Sequence, residues 1–203
     1  LRIYAPAFQE AYDRLAERDR VPPRAWGLSE IRQWIGLSPE AMWDRFQPSL
    51  PEAEKQAAST LIGRRMLELI RAGGARLYPG VPESLDMLKE EGFRLLLLSN
   101  CPVSYLQAHT DCFGLDRFFH GLYCGEQFGY RPKYEILPEL QARWGDSFLV
   151  IGDRAQDMEI AARHGLPAVG CLYGYGGREE LSAADLRIQS PSELCSAIRQ
   201  LAT

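Results

Sequence analysis

The hydrophobic pattern divides the chain into two parts with different periodicities. Before Gly74, apolar residues recur at helical spacing, and no strand pattern occurs. The first such stripe, spaced i, i+3, i+4, i+7, consists of Phe8, Ala11, Tyr12 and Leu15. A longer stretch over 52–71 has the same character and ends at the glycine pair 73–74. Residues 4–74 are therefore predicted to form an all-helical domain.

After Gly74, short apolar runs alternate with helical patterns. The runs over 94–99 and 147–152 are almost continuously apolar, which is typical of parallel strands buried on both faces. Strands are predicted over 94–99, 121–124, 147–152, 168–172 and 186–189, and helices over 82–91, 105–112, 133–144, 157–164 and 192–201. This alternation predicts a three-layer, Rossmann-like α/β fold with a parallel sheet for residues 75–203.

Composition narrows the class of protein. The 203 residues are 46% hydrophobic and carry a net charge of −4, which excludes a disordered chain. No run approaches the ~18 apolar residues of a membrane span, and there is no basic tract, so neither a membrane nor a nucleic acid is expected as a partner. The five cysteines include no C-x-x-C pair, which favours reduced thiols and a cytoplasmic location. The sequence gives no indication of oligomeric state.

Polar residues follow the two continuous apolar strands, at the sheet edge where parallel sheets bind ligands. Ser99 and Asn100 follow the first strand, and Asp153 and Asp157 follow the second. Two carboxylates four residues apart at a strand-to-helix turn can face the same point, and Mg²⁺ is commonly bound by one or two carboxylates plus substrate phosphate. An equally compatible interpretation is that Asp153 caps the next helix and Asp157 is an acid favoured by the helix dipole.

The other candidates are a hydroxyl and a lysine. The Ser99 hydroxyl and neighbouring backbone N–H groups can hold a phosphoryl oxygen, although a plain turn is the favoured interpretation of this residue alone. Lys133 is one of only three lysines beside 20 arginines. An ammonium is a compact point charge, so a site that directs one charge at a phosphoryl oxygen favours lysine over the planar arginine.

Four segments, taken in order, resemble the motifs of one enzyme family. Residues 78–81 and 95–100 resemble the approach to its second motif and the motif itself, Lys133 resembles the third, and 150–157 resembles the fourth. The order and content of these segments are similar to those of the haloacid dehalogenase superfamily, in the helical-cap subgroup that includes phosphoglycolate-phosphatase-like members. The resemblance implies that residues 4–74 are the cap.

The resemblance also implies a reaction. It implies Mg²⁺-dependent hydrolysis of a small phosphorylated metabolite through an aspartyl-phosphate intermediate. Asp153 and Asp157 would hold the metal, Ser99 and Asn100 would bind the phosphoryl group, and Lys133 would neutralise its charge.

The third motif departs from the family pattern. It usually reads Lys-Pro, whereas this chain has Arg131-Pro132-Lys133. Alignment on the proline assigns the role to Arg131, which is then a substrate-binding candidate. We prefer Lys133 because the role suits an ammonium.

The first motif is missing from the sequence. In the family it is Asp-x-Asp-Gly-Thr-Leu and carries the nucleophile and the acid/base aspartate; Leu1 resembles its last residue. Its strand lies between those at 95–99 and 148–152, so we expect ~10 further residues, including the nucleophile, just upstream of Leu1. The alternatives are a non-catalytic binding or regulatory protein of the same fold, and a phosphomutase of the same family.

Overall fold

The computed structural model of the protein, in which residues 1–202 are described, begins with helices and continues with alternating strands and helices. The α-helices are α1 (Tyr4–Ala16), α2 (Leu28–Arg32), α3 (Pro39–Phe46), α4 (Glu52–Arg71), α5 (Val81–Glu90), α6 (Val103–Phe113), α7 (Lys133–Trp144), α8 (Ala155–His164) and α9 (Leu194–Leu201). The strands are β1 (Leu96–Ser99), β2 (Gly121–Cys124), β3 (Val150–Gly152), β4 (Ala168–Cys171) and β5 (Leu186–Ile188). The predicted α/β fold class is confirmed.

The chain forms two compact units. The first consists of Leu1–Arg76 and Ser99–Leu115, and the second of Leu77–Leu98 and Asp116–Thr203. Helix α6 therefore groups with the N-terminal helices, because Ala108 on α6 is buried in one cluster with Ile70 of α4. The division at residue 74 into a cap and a core stays a prediction.

An aromatic core holds the helical unit together. Phe8 is fully buried, and its ring centroid lies 4.8 Å from that of Trp34. The rings around it are Tyr4, Tyr12, Trp26, Trp34, Trp43 and Phe46. Removing one such ring typically costs about 3–5 kcal/mol. These side chains pack within the unit and give it a core of its own.

An ion pair joins two helices of the same unit. Lys55 of α4 is buried along most of its length, and its Nζ donates to Asp44 Oδ1 on α3 at 2.6 Å.

Helix α4 has 20 residues, which is enough to cross a bilayer, but charged residues recur along it. No helix within residues 1–202 combines the length and the apolarity that a membrane span needs.

The strands of the second unit form two sheets. β3, β4 and β5 are parallel neighbours in that order, with Ile151 opposite Val169, while β1 pairs with β2 in a separate sheet. β4 is fully buried, but β1 is only half-buried, and Ile151 of β3 is 39% exposed. β3 lies at one edge of its sheet among the described strands, so it lacks the covering that the sequence predicts. A further strand between β1 and β3 stays a prediction.

His109 makes the stability of the helical unit depend on pH. Its ring lies against Tyr105 on α6, and burial lowers the pKa of His109 below 6.5, partly offset by its hydrogen bond to the Tyr105 carbonyl. The unfolded chain then binds the proton more tightly than the folded one, so stability is complete above about pH 6.5 and falls as the pH drops. We expect urea unfolding to show a loss between about pH 7.5 and 5.5 that is smaller in His109→Gln. An equal loss in both proteins would contradict this.

Candidate active site

Lys133 and Asp157 form an ion pair between two helices. Lys133 is the first residue of α7, and Pro132, which has no backbone N–H to satisfy, is its N-cap. Its Nζ donates to Asp157 Oδ1 at 2.7 Å, and both side chains are only 11% exposed. Because the pair is shielded from water, each partner fixes the position of the other.

The second oxygen of Asp157 closes the turn between β3 and α8. Asp157 Oδ2 accepts the backbone N–H groups of Asp153 and Arg154, both at 3.1 Å. Asp157 is the third residue of α8 and Arg154 is its N-cap, so the carboxylate reaches back as in a capping box. Of the two aspartates, Asp157 is thus the one that caps the turn, and both of its oxygens are engaged by protein groups.

Gly152 allows Asp157 to take this place. A Cβ atom on Gly152 would lie 2.2 Å from the Asp157 Cβ, a distance that no pair of carbon atoms tolerates without movement. The last residue of β3 is therefore required to be glycine for the carboxylate to fold back against the strand.

Asp153 is held by the segment after β4, which we call the glycine loop (residues 174–177). Asp153 Oδ2 accepts the Tyr175 backbone N–H at 2.6 Å. A Cβ on Gly174 would lie 2.2 Å from Asp153 Cβ, and one on Gly176 would lie 1.9 Å from the Asp153 carbonyl oxygen. Asp153 Oδ1 accepts no hydrogen bond from the described residues, so this oxygen is available to a ligand.

Glu180, to which the sequence assigns no role, contacts the turn between β3 and α8. Its Oε2 accepts from Arg154 Nε at 2.9 Å and from the Ala155 backbone N–H at 3.2 Å. Burial acts to raise the pKa of Glu180, but these hydrogen bonds, the Arg154 charge and the Gly177 N–H outweigh it and lower the pKa below 4.5. Glu180 and Arg154 are 26 residues apart, so no local pattern could have indicated the contact.

Cys171, at the end of β4, is not an activated nucleophile. Burial raises the pKa of its thiol to about 11, and the nearby Asp153 and Asp157 act in the same direction. Burial likewise raises the pKa of the Tyr173 phenol, which is hydrogen-bonded to Cys171. Both groups are therefore protonated at neutral pH.

The structure brings together three of the residues that the sequence singled out: Lys133, Asp153 and Asp157. Arg131 instead binds Glu139 of α7, and its Nε donates to the Phe128 carbonyl at 3.2 Å.

Ser99 and Asn100 belong to the other compact unit. They are half-buried at the end of β1.

The donor set can be compared with the needs of Mg²⁺. This ion takes oxygen ligands and commonly keeps several waters beside one or two carboxylates and a substrate phosphate. Asp153 Oδ1 meets that need, whereas the oxygens of Asp157 are already engaged. Within residues 1–202, no three acidic, histidine or cysteine side chains converge as a closed metal cage. Asp153 is thus the residue whose carboxylate is suited to bind Mg²⁺, with Asp157 beside it.

Replacement of Gly152 tests the close approach of the Asp157 side chain to the end of β3. We expect Gly152→Ala to lower the free energy of unfolding by about 1–3 kcal/mol, because the added methyl overlaps Asp157. Gly177→Ala is the matched control, since a Cβ there meets no atom within 4 Å. Urea unfolding of both variants gives the comparison, and equal stability of Gly152→Ala and the parent would refute the argument.

Comparison with proteins of known sequence places these features in a family. The family model of haloacid dehalogenase-like hydrolases matches residues 2–165. A phosphoglycolate phosphatase from Synechococcus elongatus is 30% identical over 203 residues, which cover 98% of this chain and 87% of that protein. A 5'-nucleotidase from Pseudomonas aeruginosa is 32% identical over 133 residues, which cover 62% of this chain and 58% of that protein.

Solved structures share the fold. CbbY from Rhodobacter sphaeroides, in complex with xylulose-(1,5)bisphosphate, superimposes with a TM-score of 0.77 at 19% identity, covering 95% of this chain and 88% of that one. A hydrolase from Pseudomonas syringae gives a TM-score of 0.76 at 20% identity, covering 99% and 92%. At such identities the likeness shows the fold, and the match of the family model over most of the chain shows the family. The chain therefore belongs to the haloacid dehalogenase-like hydrolases.

Proposed function

We propose that this hydrolase is a Mg²⁺-dependent phosphatase of a small phosphorylated metabolite that acts through an aspartyl-phosphate. The observation that carries the proposal is the junction at which Lys133 and two aspartates meet, with Asp153 Oδ1 available to a ligand. Its cation and its carboxylates are the groups that bind a phosphoryl group and a divalent metal.

The residues of this chain have separate parts in the proposed reaction. The Lys133 ammonium neutralises charge on the phosphoryl oxygens, and Asp157 orients it through their hydrogen bond. Ser99 and the Asn100 backbone hold the phosphoryl group. Asp153, with Asp157 beside it, would hold Mg²⁺, which supplies further neutralisation of the phosphoryl charge when bound.

The family resemblance implies that the nucleophile is an aspartate of the first motif. Its carboxylate oxygen attacks phosphorus, the ester oxygen leaves as an alcohol after protonation by the second aspartate of the motif, and water then hydrolyses the acyl phosphate. The helical residues 4–74 act as the cap that closes over the substrate and excludes bulk water.

The names of the relatives guide the choice of substrates. Because the relative that spans almost the whole chain is a phosphoglycolate phosphatase, 2-phosphoglycolate is the first substrate to test. A 5'-nucleotide follows, because the Pseudomonas aeruginosa relative is a 5'-nucleotidase. The five free thiols support the cytoplasm as the location.

Asp153→Asn tests the metal ligand. The amide can still accept the Tyr175 N–H but has lost the negative charge, so we expect the Mg²⁺-dependent release of phosphate from p-nitrophenyl phosphate to fall at least about 100-fold. The full-length protein is assayed, with the exposed Asp146→Asn as the control. Undiminished activity in Asp153→Asn would refute the assignment.

Lys133→Ala and Arg131→Ala decide the residue of the third motif. We expect Lys133→Ala to lower kcat by about 100-fold or more and Arg131→Ala by only a few-fold, because Lys133 reaches Asp157 whereas Arg131 binds Glu139. Circular dichroism of each variant controls for folding. The opposite order of effects would transfer the role to Arg131.

A further inference from the structure

The position of Asp153 depends on the glycine loop. Three contacts fix it: the Tyr175 N–H on Oδ2 at 2.6 Å, and the close approach of Gly174 and Gly176 to its Cβ and carbonyl oxygen. Gly174 and Gly176 are both buried. A displacement of this loop by ~1 Å would therefore move the Asp153 carboxylate or break its hydrogen bond.

Glu180 fastens the loop to the turn that carries Asp153. Its Oε2 reaches the loop, where it lies 3.4 Å from the position that a Cβ on Gly176 would occupy. It also accepts hydrogen bonds from Arg154 Nε and from the Ala155 backbone N–H. These are the two residues that follow Asp153. One side chain thus connects both segments that surround Asp153, and it leaves the Asp153 carboxylate itself untouched.

The charge of Glu180 also acts on the turn that carries Asp153. Arg154 follows Asp153 in this turn, and its side chain is only 15% exposed. A positive charge that is poorly screened by water is stabilised by an opposite charge beside it. The Glu180 carboxylate, 2.9 Å from Arg154 Nε, compensates that charge.

We propose that Glu180 is a positioning residue that raises the affinity of this site for Mg²⁺ by clamping the glycine loop against the turn at Asp153. The inference rests on the proposed function where it takes Asp153 as the metal ligand. Glu180 does not contact substrate or metal; it acts through the loop and through Arg154. Residues that orient metal ligands in this indirect way commonly change metal affinity 10- to 100-fold.

The first measurement is Mg²⁺ binding by isothermal titration calorimetry of the full-length protein. We expect Glu180→Ala to weaken binding about tenfold. Glu180→Gln keeps an oxygen that can accept the N–H groups and should lose less. The neighbouring, exposed Glu179→Ala is the matched control and should bind as the parent does. Parent-like binding by Glu180→Ala would overturn the proposal.

The second measurement needs no metal. Exchange of the Tyr175 amide hydrogen, followed by NMR in metal-free protein, reports whether its bond to Asp153 persists. We expect exchange at least about tenfold faster in Glu180→Ala than in the parent or in Glu179→Ala. Unchanged exchange would refute the clamp.

Together, the two measurements distinguish failure of the proposed metal site from failure of the proposed role of Glu180. If the parent and Asp153→Asn bind Mg²⁺ equally, or neither binds it, the metal assignment of the proposed function is wrong. The amide exchange still decides whether Glu180 positions Asp153.

Discussion

The site depends on one carboxylate, that of Asp157. One of its oxygens holds Lys133 at the start of α7, and the other accepts two backbone N–H groups of the turn between β3 and α8. Lys133 and Asp157 are 24 residues apart, so the contact ties two helices to the end of a strand. Removal of one partner from such a shielded pair typically costs about 3–5 kcal/mol, because the other charge is left without compensation.

The second constraint on the site is the close packing of its two aspartates against the backbone of glycine residues. Gly152 admits Asp157 against the strand, and Gly174 and Gly176 admit Asp153 against the glycine loop. A side chain at any of these positions would meet atoms closer than 2.5 Å. The two aspartates are consequently fixed by packing as well as by hydrogen bonds, which gives a phosphoryl or metal site the rigidity that electrostatic catalysis requires.

The helical unit is stabilised by different means. Its core consists of aromatic rings around Phe8, and its buried lysine pairs with Asp44 of a neighbouring helix. This core contains no member of the Lys133, Asp153 and Asp157 group. The fold is retained among structures that are only 18–22% identical to this chain.

The sequence by itself determined the α/β class and the bounds of the helix over 133–144, because each follows from local periodicity. It predicted β3 to be longer and more buried than it is, since strand burial depends on neighbours that local sequence does not name. Only the tertiary structure decided that Lys133 meets Asp157, that the glycine loop seats Asp153, and that Glu180 joins the two. These contacts link residues 22 to 26 positions apart, and folding alone brings such residues together.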